Sequence, residues 1–340
     1  GVLYIIDEPS IGLHPRDIEM LTQQIKKLAK RGNTVVVVEH DHSVIKSTEY
    51  TIELGPGSGE MGGRLVYQGK TKKFLKEART LTAEYIRGER SITTPRWRRS
   101  GSGSFIKISG ATGNNLADVD LEIPVKALTC VTGVSGSGKS SLILDTLYNA
   151  LAPNFKIKSE NALPYTSLTG VNLIEGLKLI DQNPIGKTPR SNPVTYIGAF
   201  DEIRKLYSQQ RAAIGLSLGP GHFSFNVTGG RCESCMGEGV EKLEMYFLPD
   251  VYTKCSSCGG KRFKPQVLDV KLKGRNISDV LNMTFDEAHT FFKGMGKGLS
   301  QKLALLGEVG LGYLKLGQSA TSLSGGEAQR LKIARELATD

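Results

Sequence analysis

A glycine-rich segment near the middle of the chain has the residue types and spacing of a phosphate-binding loop. It reads G-V-S-G-S-G-K-S at positions 133–140, after an apolar run and before a helical pattern. Backbone N–H groups of such a loop bind phosphate, its lysine neutralises the β- and γ-phosphates, and its hydroxyl binds Mg²⁺. We therefore expect ATP and magnesium here, with Ser140 as a magnesium ligand. The predicted nucleotide-binding residues are Gly133, Ser135, Gly136, Ser137, Gly138, Lys139, Ser140 and Ser141.

An acidic pair, Asp7 and Glu8, follows an apolar strand pattern at the beginning of the sequence. At the carboxyl end of a strand, the first carboxylate can hold Mg²⁺ and the second can orient or deprotonate the attacking water. Taken alone, such a pair is more often a solvated turn, and a histidine at a strand end is usually structural. Pro9 and Ser10 follow the pair, however, and a valine-rich strand ends at His40. Together these features predict Asp7, Glu8 and His40 as catalytic residues.

A third segment, L-S-G-G-E at 323–327, precedes a helical pattern. Ser324 can cap the helix, and the two glycines let backbone N–H groups approach a phosphate. On its own the segment would be a plain helix cap, but beside a phosphate loop it matches the signature of ABC ATPases. That superfamily keeps a metal- and water-contacting glutamine between loop and signature, which here indicates Gln182. The predicted signature residues on the nucleotide are Ser324, Gly325, Gly326 and Glu327.

Four of the five cysteines form two C-x-x-C pairs separated by 19 residues. This spacing is typical of a structural zinc site with four thiolate ligands. A disulfide or redox pair is the less favoured alternative, because five cysteines are few for a disulfide scaffold and the paired spacing indicates a metal site in a reducing cytosol. The predicted zinc ligands are Cys232, Cys235, Cys255 and Cys258. Cys130 lies in the run before the phosphate loop and is expected in the core.

Basic residues cluster around the cysteine pairs, and the chain as a whole carries a formal charge of +10. Between the pairs, residues 241–252 alternate like a strand hairpin that could lie along DNA phosphates, although a solvated basic face is nearly as good an interpretation. The candidate DNA-contacting residues are Lys187, Arg190, Arg231, Lys242, Lys254, Lys261 and Arg262.

The elements that must position these residues divide the chain into five parts. Residues 1–88 alternate strand and helix, which predicts a parallel sheet with flanking helices. Residues 89–103 form a basic, Gly/Ser-rich linker. Residues 104–152 hold antiparallel strands, a strand at 128–132, the phosphate loop and its helix, while 153–320 form a long insert with the zinc module at 229–264. Residues 321–340 carry the signature and a helix.

The order of the motifs is unusual, because in one ABC head the phosphate loop comes first and the acidic pair last. The sequence therefore predicts the tail of one head joined to the front of a second. The alternative is a circular permutant, in which strands of 1–88 complete the sheet that begins at Phe105. No apolar run approaches the roughly 18 to 20 residues of a membrane span, so a cytoplasmic protein without a membrane partner is expected.

An ABC head with a zinc module between phosphate loop and signature resembles the UvrA family, the damage-sensing ATPases of bacterial UvrABC nucleotide-excision repair. The matching segments are I-D-E-P-S-I-G-L-H (6–14), V-V-V-E-H-D (36–41), L-G-P-G-S-G-E-M-G-G (54–63), the phosphate loop, D-Q-N-P-I-G-K-T-P-R-S-N-P (181–193), G-R-C-E-S-C-M-G-E-G (230–239) and L-S-G-G-E-A-Q-R-L-K-I-A (323–334). The resemblance implies two heads per polypeptide, a homodimer, binding of damaged double-stranded DNA and loading of a UvrB-type helicase partner.

By this resemblance, Asp7, Glu8 and His40 belong to the first head, and Lys139, Gln182, the cysteines and the signature to the second. The 340 residues would then contain neither ATP site in full and would hydrolyse ATP poorly. The alternatives are a related protein serving drug resistance and a non-hydrolytic zinc- and DNA-binding piece. A transporter ATPase subunit lacks the four cysteines. A J-protein-type zinc centre, which shares C-x-x-C-x-G-x-G, lacks the phosphate loop.

Overall fold

Residues 1–59, 62–99, 101–186, 188–243, 245 and 251–338 are described by the computed structural model of the chain. They divide into two units, a first unit around 1–57 and 62–178 and a second around 58–59 and 179–338. Among the described helices, none combines the length and the apolar character needed to cross a membrane.

The amino-terminal part of the first unit is a βαβ arrangement followed by a hairpin. Strands β1 and β2 pair in parallel, with Asp7 opposite Val38, and helix α1 connects them. Strands β3 and β4 pair antiparallel, and helices α3 and α4 pack on the hairpin around the fully buried Phe74. The bounds are β1 Leu3–Asp7, α1 Pro15–Lys30, β2 Thr34–Val38, α2 His42–Ser47, β3 Tyr50–Gly55, β4 Arg64–Lys70, α3 Thr71–Glu77 and α4 Leu81–Arg87.

The remainder of the first unit contains a three-stranded antiparallel sheet in the order β6-β5-β7. Its strands are β5 Phe105–Gly113, β6 Leu116–Pro124 and β7 Ser167–Thr169. The phosphate loop leads into a helix with π-type hydrogen bonding over Ser141–Tyr148, which continues as α5, Asn149–Leu151. Ile106 and Ile108 of β5 pack against Leu147 and Leu151 of this helix, which anchors it behind the loop.

Two predictions about this region are wrong. No strand is assigned at 128–132, because none of the described strands offers this run a hydrogen-bonding partner, and Leu128 is 97% exposed. Cys130 is exposed for the same reason and is not a core residue. Strands β1 and β2 are present as the alternation of strand and helix predicted. Only one face of β1 is covered, however, so that Ile5 remains 71% exposed.

The second unit is mainly helical, where the sequence had shown no regular alternation. Its core contains Phe200, Tyr207, Phe223, Phe225, Phe263, Phe285, Phe292 and a set of leucines. The helices are α6 Pro193–Tyr196, α7 Phe200–Ser208, α8 Arg211–Gly215, α9 Pro265–Leu268, α10 Ile277–Leu281, α11 Phe285–Phe291, α12 Lys297–Glu308 and α13 Gly325–Leu337. The predicted hairpin is present as β8, Val240–Leu243, paired with β9, Val251–Lys254.

The shared sheet expected for a circular permutant is not found among the described strands. Pairs β1–β2 and β3–β4 form sheets separate from the β6-β5-β7 sheet. Between α4 and β5 the described residues form neither helix nor strand.

Candidate nucleotide and metal sites

The phosphate loop has the backbone of an anion-binding turn. Gly136 and Gly138 adopt left-handed conformations, with φ of 76° and 95°. At Gly138 a Cβ would lie only 3.0 Å from the side-chain oxygen of Asn115. The Asn115 side chain therefore packs directly against the phosphate loop. Asn115 also donates a hydrogen bond of 2.9 Å to the Gly136 carbonyl. Sequence reasoning missed Asn115, whose only signal is its place in the turn between two antiparallel strands.

Lys139 reaches across the loop. Its ammonium group donates to the carbonyls of Gly133 and Val134, both at 2.8 Å. The positive charge is thus held in the concavity where nucleotide phosphates would lie, beside the first turn of the helix that follows the loop. These residues fit a nucleoside triphosphate with its magnesium ion.

An acidic side chain from helix α1 also contacts this loop. Asp17 accepts a hydrogen bond of 3.3 Å from the backbone amide of Ser135. Hydrogen bonding from Ser135 holds the pKa of the Asp17 carboxyl below its ordinary value, against the opposing effect of burial. A carboxylate therefore uses an amide of the phosphate loop as its donor, a contact that sequence analysis gave no means of finding.

The acidic pair and the predicted histidine come together in the first unit. His40 Nε2 lies 3.2 Å from Glu8 Oε1, and Glu8 adopts a left-handed φ of 43°. Glu39 organises this corner, since its carboxylate accepts hydrogen bonds from Ser10 and from the amides of His40 and Asp41. Burial raises the pKa of Glu39, but these hydrogen bonds outweigh burial and lower it.

In the second unit, the signature begins with a reciprocal helix cap. The Ser324 hydroxyl accepts from the Glu327 amide at 3.3 Å, and the Glu327 carboxylate accepts from the Ser324 amide at 2.8 Å. Tyr313 donates to the other carboxylate oxygen of Glu327. Gln182 adjoins this helix start, because a Cβ on Gly325 would lie 3.9 Å from the Gln182 Oε1 atom. The predicted glutamine and the predicted signature are therefore neighbours.

Lys332, two turns into α13, holds the loop that carries Gln182. Its ammonium group pairs with the Asp181 carboxylate and donates to the carbonyls of Asp181, at 3.1 Å, and Asn183, at 2.8 Å. The hydrogen bond from Lys332 lowers the pKa of Asp181, with burial opposing it. Lys332 was not predicted as a site residue, since a lysine on a helix is ordinarily a solvated charge.

The four cysteines of the two C-x-x-C pairs form one cluster, with all Sγ atoms within 4.8 Å of one another. Cys235 Sγ and Cys258 Sγ are 3.8 Å apart, the separation of about 3.8 Å expected for two thiolates at 2.3 Å from a tetrahedral zinc ion. All four are free thiols, which argues against the disulfide alternative. The donor set fits a closed, structural Zn²⁺ site.

Both halves of the cluster have the same local geometry. The amide four residues after the second cysteine of each pair donates to its sulfur, Gly239 to Cys235 at 3.2 Å and Arg262 to Cys258 at 3.4 Å. Burial raises the pKa of Cys232, but hydrogen bonds from the amides of Cys235 and Ser234 outweigh it and lower the pKa to about 7. At Cys235 the balance is reversed, because burial outweighs the amides of Gly239 and Gly237 and raises the pKa of this thiol. Zinc binding to Cys235 as a thiolate would therefore release a proton.

Glycine is required where the first pair turns. Gly237 has φ of 83°, and a Cβ there would lie 2.0 Å from the Phe225 carbonyl oxygen. The two halves are further joined by a hydrogen bond of 2.8 Å from the Ser234 to the Ser257 hydroxyl.

The basic candidates differ in their surroundings. Lys242, Lys254 and Lys261 are exposed on or beside the hairpin, whereas Lys187 lies outside the described residues. Arg231 is paired with Glu233 at 3.2 Å, and Arg190 with Glu238 at 3.7 Å. Arg190 also lines a polar cleft of about 410 Å³ with Thr188, Ser191, Asn192 and Asn226. Arg262 is different, because its guanidinium is directed inward to the Gly317 carbonyl.

A phosphate loop with its helix, a capped signature helix and a four-cysteine cluster are together the features of the ABC-type P-loop ATPase fold. No protein-family profile matches the chain. The chain is, however, similar to individual proteins. The UvrABC system protein A of Thermus thermophilus is 50% identical to it over 337 residues. The proteins of the same name from Staphylococcus aureus and Methanothermobacter thermautotrophicus are 49% identical over 339 and 337 residues, respectively.

These alignments cover 99% of the chain but 35% of each relative, so the chain spans about a third of the length of the proteins it matches. The crystal structure of UvrA2 from Deinococcus radiodurans matches with a TM-score of 0.92 and 45% identity, over 99% of this chain and 40% of that one. The resemblance to UvrA predicted from the motifs is thereby confirmed.

Proposed function

We propose that the chain is part of an ATP-dependent DNA-damage recognition protein of nucleotide-excision repair. The observation that carries this proposal is the arrangement of the second unit, where a four-cysteine cluster, the Gln182 loop and the signature helix share one fold. Similarity at 49–50% identity to proteins named as UvrABC system components supports repair over drug resistance.

In this proposal, Lys139 and the loop amides bind the phosphates of one ATP, with Ser140 on its magnesium ion. Asp7 holds magnesium for another nucleotide, Glu8 orients the attacking water, and His40 contacts the γ-phosphate. Gln182 contacts metal and water, and residues 324–327 close a nucleotide across a head-to-tail pair. The position of Gln182 beside Gly325, where an added Cβ would come within 4 Å of it, supports the idea that the glutamine senses nucleotide together with the signature.

Zinc would hold the two cysteine pairs together and thereby fix the base of the β8–β9 hairpin. The exposed cations Lys242, Lys254 and Lys261, with Arg231 and Arg190 nearby, would contact DNA phosphates. A UvrB-type partner and a homodimer complete the proposed assembly. Arg262 is left out of the DNA-contacting set, because its guanidinium is engaged inside the unit.

The test is whether nucleotide changes DNA affinity. Anisotropy of a labelled duplex, with and without a bulky lesion, would be measured for the wild-type chain and for Lys139→Ala, in the presence and absence of ATP. Lys158→Ala, which removes an exposed lysine away from the loop, is the matched control. We expect ATP to shift the DNA affinity of the wild type and the control but not that of Lys139→Ala. Equal affinities under all conditions would favour a non-hydrolytic zinc- and DNA-binding protein.

A further inference from the structure

Arg262 follows the second cysteine pair and is tied to both halves of the metal cluster through its backbone. Its amide donates to Cys258 Sγ at 3.4 Å, and its carbonyl accepts from the Cys232 amide at 2.8 Å. Unlike the lysines around it, its side chain turns inward and lies over the ring of Phe225, with 5.4 Å from Cζ to the ring centroid. The residue is thus part of the frame of the cluster and of the hydrophobic core.

Only one of the two terminal nitrogens of the Arg262 guanidinium has a hydrogen-bond partner among the described residues. Nη2 donates to the Gly317 carbonyl at 3.1 Å, whereas Nη1 is buried with no hydrogen-bond partner among the described residues. A buried cation is unfavourable without compensating negative charge. The negative groups that act on the guanidinium are Cys235, Cys258 and Glu238. A zinc ion with four thiolates would leave a net charge of about −2 at the cysteines, since two positive and four negative charges combine there. The filled cluster and Arg262 are therefore electrostatic complements.

Gly317 connects this arginine to the nucleotide-binding signature. Its amide donates to the Leu281 carbonyl at 2.8 Å, and a Cβ at this position would lie 2.9 Å from the Leu281 side chain. Gly317 is thus seated tightly at the end of α10. From there the chain passes through a short 3₁₀ turn, Ala320–Ser322, to the Ser324 cap. The position of Gly317 therefore helps to determine the position of the first turn of the signature helix.

We propose that Arg262 is a positioning residue through which occupancy of the four-cysteine centre controls the segment leading into the signature helix. With zinc bound, the tetrathiolate compensates the guanidinium, which then holds Gly317. When zinc is removed, the two cysteine pairs are no longer held together, the Arg262 backbone that joins Cys232 to Cys258 is released, and the hold of its guanidinium on Gly317 weakens. The proposal needs zinc at the cysteines but is independent of DNA binding.

The first experiment measures zinc release from the full chain into an excess of a chromogenic chelator. Arg262→Met removes the charge and the hydrogen bond to Gly317, Arg262→Lys keeps the charge, and Lys261→Met removes the exposed cation next to it. We expect release from Arg262→Met to be about 10- to 100-fold faster, the size of effect typical of outer-sphere partners of metal ligands. Arg262→Lys should be intermediate, and Lys261→Met should match the wild type. Equal release rates in all four proteins would overturn the electrostatic role.

The second experiment follows hydrogen exchange of residues 315–326, with α12 as the internal reference. Zinc-loaded wild type is compared with zinc-stripped wild type and with zinc-loaded Arg262→Met. We expect faster exchange of this segment in both altered samples and little change in α12. Unchanged exchange of 315–326 in the zinc-stripped wild type would overturn the coupling, and this comparison holds even if Arg262→Met does not fold.

Discussion

The carboxylate of Asp17 accepts a hydrogen bond from the backbone amide of Ser135, 118 positions along the chain and inside the phosphate loop. The helix that follows the acidic pair thus places a negative charge against the loop proposed to bind phosphate. Hydrogen bonding from Ser135 lowers the pKa of Asp17. The carboxyl is therefore ionised at neutral pH, where nucleotide would bind.

Asp17→Asn should strengthen nucleotide binding, because it removes a negative charge that repels the phosphates and competes for the Ser135 amide. The expected gain in affinity for a fluorescent ADP analogue is about two- to fivefold, the size of an exposed charge interaction. Glu19→Gln, which removes an exposed charge from the same helix, should have a smaller effect. Weaker binding by Asp17→Asn would mean that the carboxylate shapes the loop instead.

Lys332→Met should release the Gln182 loop from the signature helix. The ammonium group is largely buried and makes one ion pair and two hydrogen bonds to carbonyls. We expect the free energy of unfolding to fall by about 1 to 3 kcal/mol, measured by urea denaturation with far-UV circular dichroism. Lys293→Met, an exposed lysine outside this contact, should change it by less than about 0.5 kcal/mol. A similar loss of unfolding free energy in both variants would contradict the role of Lys332 in holding the Gln182 loop.

The ion pair between Lys332 and Asp181 also predicts that stability depends on pH. The pKa of Asp181 is lowered in the folded chain by Lys332. A lowered pKa means that its contribution is complete above the unfolded value of about 3.9 and is lost as the pH falls through the folded value. The stability difference between wild type and Asp181→Asn should therefore be constant from about pH 5 to 7 and shrink below about pH 4. A difference already lost near pH 6 would assign the effect to another group.

Zinc removal should unfold the cysteine module. We expect about one zinc per chain by elemental analysis, and little zinc in Cys235→Ser. Because a structural zinc contributes several kcal/mol to folding, the melting temperature should drop by roughly 5 °C or more. Cys130→Ser is the matched control, since Cys130 is exposed and lies outside the cluster. Normal zinc content in Cys235→Ser would exclude this thiol as a ligand.

The exposed lysines beside the cysteine cluster should contribute to DNA binding through phosphate contacts. The double variant Lys254→Gln, Lys261→Gln should bind duplex DNA more weakly whatever its sequence. Its slope of log affinity against log salt should be smaller by about 2, since each phosphate contact contributes about 0.9. Lys72→Gln, Lys73→Gln removes the same charge from α3 and should leave the slope unchanged. An equal loss in both variants would indicate a general charge effect.

The features that the sequence determined by itself are those whose chemistry depends on short spacings. The phosphate loop is contained in eight consecutive residues, and each cysteine pair in four. The Ser324 cap joins residues three apart, so a pattern is enough to reveal it. The strand and helix periodicities around these motifs were equally local, which is why β1, α1, β2, β5, β6 and α13 could be predicted.

The tertiary structure alone decided which distant residues meet. Asp17 and Ser135 are 118 positions apart, Lys332 and Asp181 are 151, and Arg262 and Gly317 are 55. It also decided exposure, leaving Cys130 outside the core and turning Arg262 into it. Periodicity shows which residues share a face of an element, but not which element that face meets. A charged side chain therefore has the same signature in the sequence whether it faces water, DNA or the buried neighbour that it holds in place.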